Sequence, residues 1–111
     1  MANYLSQQAK WGTQISRNAA TFTGSLQAFS TTFTDSPWIV IIQNDTDQTV
    51  SLSQDGTNTA ISLVAGTKLV LDLRANEGTA TIFSFKKGEQ WYASGTAGTG
   101  LIKISYLYGA P

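Results

Sequence analysis

Beyond residue 37, apolar and polar side chains alternate along several short segments, which lie within residues 50–53, 61–63, 68–74 and 102–108. Successive side chains of a β-strand point to opposite faces of a sheet, so this alternation is typical of half-buried antiparallel strands. Residues 38–42 form an unbroken apolar run, as in a strand that is covered on both faces. The pattern therefore predicts a β-structured body that begins near residue 37.

Residues that favour turns separate these segments. Asp55-Gly56 is a strong signal for a tight hairpin, and Gly66 and Gly88 stand at later breaks in the pattern. Residues 95–100 form a glycine-rich loop before the last alternating segment. Roughly six to eight short strands in this rhythm predict a mainly β fold, either an antiparallel β-sandwich or a jelly-roll-like barrel.

The first 36 residues follow a different pattern, with apolar residues at spacings of three, four or seven. On a helix these residues would form one stripe. The residues between them oppose a stable helix, because Gly12, Gly24 and many Ser, Thr and Asn residues are poor helix formers. We therefore expect residues 1–36 to form an N-terminal arm, extended or partly helical, and residues 37–111 to form a β-sandwich domain.

Two locations for the apolar stripe fit the sequence: the arm docks on neighbouring subunits, or it packs on its own β-domain. We take the first as the working prediction, because each large apolar side chain that is buried contributes roughly 1.5–3 kcal/mol towards ordering the arm. A chain without residues 1–34 is then expected to remain a soluble domain that no longer assembles. The predicted assembly interface consists of Tyr4, Trp11, Ile15, Phe22, Leu26, Phe29 and Phe33.

The composition is that of a folded chain with little ionisable chemistry. Of the 111 residues, 41% are hydrophobic and 13% are charged, and seven basic residues balance seven acidic ones. This balance gives no reason to expect a nucleic-acid partner or a membrane surface. Cysteine and histidine are both missing, which removes the thiolate nucleophile, the commonest general base and the commonest transition-metal ligand. We therefore predict a protein that is not an enzyme and that needs no metal or cofactor.

The sequence also limits the expected location. No apolar run approaches the roughly 20 residues that a membrane-spanning helix needs. The first residues lack the basic region and apolar region of a secretory signal. Synthesis and folding in the cytoplasm are therefore expected.

Carboxylates and adjacent aromatic residues are the candidates for a ligand site. Asp45 and Asp47 could offer oxygens to Ca²⁺, but they lack the glycine and the closing glutamate of an EF-hand loop, so we interpret them as turn residues. Trp91 and Tyr92 could form a platform for sugar rings. Because neighbouring strand residues point to opposite faces, one of the two is expected in the core and the other at the surface.

Four segments, within residues 42–56, 63–73, 85–92 and 98–108, resemble the strand-and-turn segments of small bacteriophage virion structural proteins. The likeness covers residues 38–110, and the arm has no counterpart in it. The resemblance implies a structural component of a tailed-phage particle, with a minor capsid, decoration, penton or spike-base role. A neck or tail protein is the alternative within this class. The implied partners are other virion proteins and copies of the chain itself, in a homo-oligomer located in the virion.

A carbohydrate-binding module that recognises a receptor is the rival interpretation from another class. It would use the aromatic residues Trp91 and Tyr92. A hydrolase is the third class and would need a mechanism based on carboxylates alone, yet no motif brings Asp72 and Glu89 together as such a pair. The sequence therefore favours assembly over binding of a sugar and over catalysis.

Overall fold

The computed structural model describes residues 8–73, 85 and 87–110. The described residues form nine β-strands and one turn of 3₁₀-helix. The strands are β1 Gln8–Trp11, β2 Ile15–Asn18, β3 Gln27–Ala28, β4 Ile39–Asn44, β5 Val50–Ser53, β6 Thr59–Leu63, β7 Lys68–Asp72, β8 Tyr92–Ser94 and β9 Leu101–Ala110. The 3₁₀ turn, Ala19–Thr21, lies between β2 and β3.

The strands are arranged in two antiparallel sheets. Sheet A has the order β1–β9–β4–β7, with β2 also paired to β9, and sheet B has the order β3–β8–β5–β6. Strand β9 is long enough to hold two partners along one edge, because residues 101–104 pair with β2 and residues 107–110 pair with β1. Its other edge pairs with β4 along residues 102–107.

The strand pairing is nested around the turn between β5 and β6. Strand β5 pairs with β6, β4 with β7, β3 with β8 and β2 with β9. The chain thus forms one long hairpin, which is rolled up so that β4 also pairs with β9 and β5 also pairs with β8. A rolled hairpin of two sheets is a jelly roll, and the predicted mainly β fold with antiparallel sheets is confirmed.

The core lies between the two sheets. Alternate residues of the predicted strands reach it, such as Val40 and Ile42 of β4 and Ile102 and Ile104 of β9, all fully buried. The other face of β4 is half-exposed, because sheet B covers only the inner side of sheet A. The core consists of Ile15, Ala19, Phe22, Phe29, Phe33, Val40, Ile42, Val50, Leu52, Trp91, Ala93, Ile102, Ile104 and Tyr106.

The N-terminal segment contributes to this core, and the prediction that its stripe lies between subunits is wrong for Ile15, Phe22, Phe29 and Phe33. These four side chains are buried in the core of their own chain. The alternative that the segment packs on its own β-domain is confirmed for them. Their helix-like spacing has another cause: the 3₁₀ turn and the bend at Gly24 interrupt the alternation of an otherwise extended backbone.

The remaining members of the stripe have three different outcomes. Leu26 is half-buried, whereas Trp11 is 62% exposed and remains available at the surface. Tyr4 lies outside the described residues. Of the predicted interface residues that the structure describes, Trp11 is thus the one that still fits a contact with another molecule.

The junction at residues 36 and 37 does not separate two bodies. Strands β1 and β2 belong to sheet A and β3 belongs to sheet B, so the segment that we predicted as an arm contributes to both sheets. Arg17 of β2 donates a hydrogen bond of 2.6 Å to the carbonyl of Ala28 in β3, which links the sheets at this edge. Removing residues 1–34 would delete three strands, so a folded truncated domain is not expected.

Gly12, just after β1, leaves no room for a side chain. Its N–H donates to the Tyr106 carbonyl at 2.9 Å, and an added methyl group would overlap the buried Tyr106 ring. We expect Gly12→Ala to lower the free energy of unfolding by about 1–3 kcal/mol, because overpacking displaces a core ring. Urea unfolding measures this loss.

The control for this substitution is Thr13→Ala, at an exposed neighbouring position. It should change the free energy of unfolding by less than about 0.5 kcal/mol. If Gly12→Ala unfolds at the same urea concentration as the wild type, the close approach of Gly12 to Tyr106 has no energetic weight.

Candidate functional site: the outer face of sheet A

The outward-facing side chains of sheet A form rows across its strands, because residues that are partners in the register point to the same face. The first row contains Trp11, Leu107, Ile39 and Asp72. The middle row contains Ser105, Ile41 and Val70. The third row contains Ser16, Lys103, Gln43 and Lys68.

Five large apolar side chains are neighbours on this face: Trp11, Ile39, Ile41, Val70 and Leu107. We call them the Trp11 patch. Trp11 is 62% exposed and Val70 is 55% exposed, while the other three are half-buried. Single apolar residues on a protein surface are common, whereas several apolar residues that share one exposed face are a candidate interaction site.

Two members of the patch, Ile39 and Ile41, belong to the apolar run of β4, and the sequence pattern did not predict their place at the surface. The unbroken apolar run of β4 places Ile39 and Ile41 on the face opposite to the buried Val40 and Ile42. The prediction that this strand is covered on both faces is wrong, because its outward side chains are only half-buried. An unbroken apolar run is also typical of a strand with one face in the core and the other face available to another molecule. The sequence does not distinguish these two cases.

Charged residues lie at both ends of the patch. On β7, Lys68 and Asp72 are exposed and point outward on either side of Val70. Lys103 lies in the same row as Lys68, and its Nζ is 3.2 Å from Asp45 Oδ2. The patch is therefore bounded by a basic row at one end and by a carboxylate at the other.

The outer face of sheet B has a different chemistry. Its middle row contains Ser94, Ser51 and Ser62, and the hydroxyl oxygens of Ser51 and Ser62 are 3.1 Å apart. These three side chains are small and offer little apolar area. An apolar contact is therefore expected on sheet A and not on sheet B.

Trp91 and Tyr92 do not form the predicted aromatic platform. Trp91 is 7% exposed, its ring packs edge-on against Phe33 and Phe85, and its Nε1 donates to Glu89 at 2.7 Å. Tyr92 is half-buried on the opposite face, beside Gly56. The two side chains cannot form one platform, because neighbouring residues of an extended backbone point to opposite faces. This agrees with the expected division of the pair into one core residue and one surface residue.

Asp47 and Asp55 act as turn residues, in agreement with the sequence. Asp55 Oδ1 accepts hydrogen bonds of 2.8 Å from the N–H groups of Asn58 and Thr57, and these hold the pKa of its carboxyl well below the usual value. The N–H of Thr99 donates to Asp47 Oδ1 at 2.9 Å and lowers the pKa of that carboxyl in the same way. Both carboxylates are thus engaged in fixing loops.

The part of the chain that the structure describes contains no group of three His, Cys, Asp or Glu residues that could hold a metal ion. No cavity is found there, and none of its helical segments is long and apolar enough to cross a membrane. No protein-family model, curated protein or solved structure matches this chain.

Proposed function

We propose that this chain is a non-enzymatic structural component of a virus particle of the tailed-phage kind, and that it acts by binding other virion proteins and copies of itself. The four segments that resemble small bacteriophage virion proteins support this proposal. The jelly roll is consistent with it, since this architecture occurs in virus capsid proteins and also in lectins. A fold alone does not specify a function, so the proposal depends on the surface.

The observation that carries the proposal is the Trp11 patch. Trp11 is 62% exposed and stands beside Leu107 and Ile39 on a sheet, at a position where the backbone is held by hydrogen bonds to β9. Tryptophan is enriched among the residues that dominate binding at protein interfaces. A contact that uses side chains on a hydrogen-bonded sheet also loses less conformational entropy than one that must order a free segment. In this proposal the Trp11 patch is the assembly surface, and Trp11 is the one residue of the predicted interface that it includes.

We favour a capsid-associated role, as a minor capsid, decoration, penton or spike-base protein, over a role in the neck or tail. In this proposal the chain is made in the host cytoplasm and ends in the virion. The patch fits such a role because it offers one apolar face and leaves the hydroxyl-rich face of sheet B towards solvent. The rival carbohydrate-binding module loses the Trp91–Tyr92 platform that we expected it to use, because Trp91 is buried.

The test compares two substitutions of equally exposed apolar residues. Trp11 lies in the patch and Val64 lies outside it, in the turn between β6 and β7, and each is 62% exposed. We expect Trp11→Ser to lower the number of copies per purified particle about tenfold or more, the loss typical of an interface anchor. Val64→Ser should leave that number unchanged.

The measurement is quantitative mass spectrometry of particles purified on a density gradient. The particles are produced with each variant gene at its native position in the genome. Thermal unfolding of each purified variant shows that the fold is kept. Two results would contradict the proposal: the wild-type chain is missing from the particles, or Trp11→Ser is incorporated as well as Val64→Ser.

A further inference from the structure

We draw no further inference here: the strongest candidate, the apolar Trp11 patch on the outer face of sheet A, is already the surface of the proposed function, and nothing in the part of the chain that the structure describes shows what covers it.

Discussion

Replacing Phe33 with alanine is expected to lower the free energy of unfolding by about 3–5 kcal/mol, the usual cost of deleting a buried aromatic ring. Phe33 is 1% exposed, and its ring centroid lies 5.2 Å from Tyr106 and 6.0 Å from Trp91, both edge-on. It also stacks on Phe85 at 6.0 Å. Removal of this ring leaves a cavity at the centre of an aromatic cluster that joins the N-terminal segment to both sheets.

Urea unfolding followed by tryptophan fluorescence measures this loss. Trp11→Ala is the matched control from the same segment, and it should change the free energy of unfolding by less than about 0.5 kcal/mol, because Trp11 is largely exposed. The pair of variants distinguishes a stripe residue that stabilises the core, Phe33, from one that is exposed at the surface, Trp11. A loss below about 1 kcal/mol for Phe33→Ala would contradict the placement of this segment in the core.

Asn44→Ala is expected to lower the free energy of unfolding by about 2–4 kcal/mol, although it removes no large apolar side chain. The Asn44 amide is fully buried, and its Nδ2 donates to the carbonyls of Gln48 and Leu63 at 2.9 Å each. Its Oδ1 accepts from the N–H and the hydroxyl of Thr46, at 3.0 and 2.6 Å. Alanine removes the partner of the Thr46 N–H and the amide that reaches the Leu63 carbonyl, and each loss costs about 1–3 kcal/mol unless water replaces the amide. The Gln48 carbonyl still accepts from the Thr46 hydroxyl at 2.9 Å.

Asn44→Asp tests the same network with a side chain of equal size. The aspartate can still accept from Thr46, but it cannot donate to the two carbonyls, so a clear loss of stability is expected here as well. Gln43→Ala, at the next position of β4 and on its outer face, is the control and should be close to neutral. If Asn44→Ala unfolds at the same urea concentration as Gln43→Ala, the hydrogen bonds of the Asn44 side chain do not stabilise the fold.

Four of the residues predicted for the assembly interface lie in the core of their own chain, and the reason is physical. Hydrophobicity identified Ile15, Phe22, Phe29 and Phe33 as side chains that must be covered, but it gave no information about the covering surface. In the folded chain their own sheets cover them. The requirement for a partner then applies to the apolar residues that remain outside, and in the part of the chain that the structure describes Trp11 and Val64 are equally exposed, at 62% each. Of these two, Trp11 has apolar neighbours on its sheet. The surface that we propose for assembly is therefore the Trp11 patch and not the four buried side chains.

The sequence by itself determined the features that depend on neighbours along the chain. Alternation located β5, β6, β7 and β9, because the side-chain direction in a strand depends only on position, and the unbroken apolar run indicated β4. Neither pattern located the short strand β8. The turn at Asp55-Gly56 followed from local chemistry, and Gly56 has the positive φ that a glycine adopts at low cost. The division of Trp91 and Tyr92 into core and surface followed in the same way.

Only the tertiary structure decided which face of each strand meets solvent. Ile15 is buried because β2 pairs with β9 almost at the other end of the chain, and no local pattern specifies that partner. In the same way, Trp11, Ile41 and Val70 come from three distant segments and share one surface because β9 and β4 hold them side by side. Local spacing decides which side chains lie on one side of a strand, whereas the position of the second sheet decides which side becomes core.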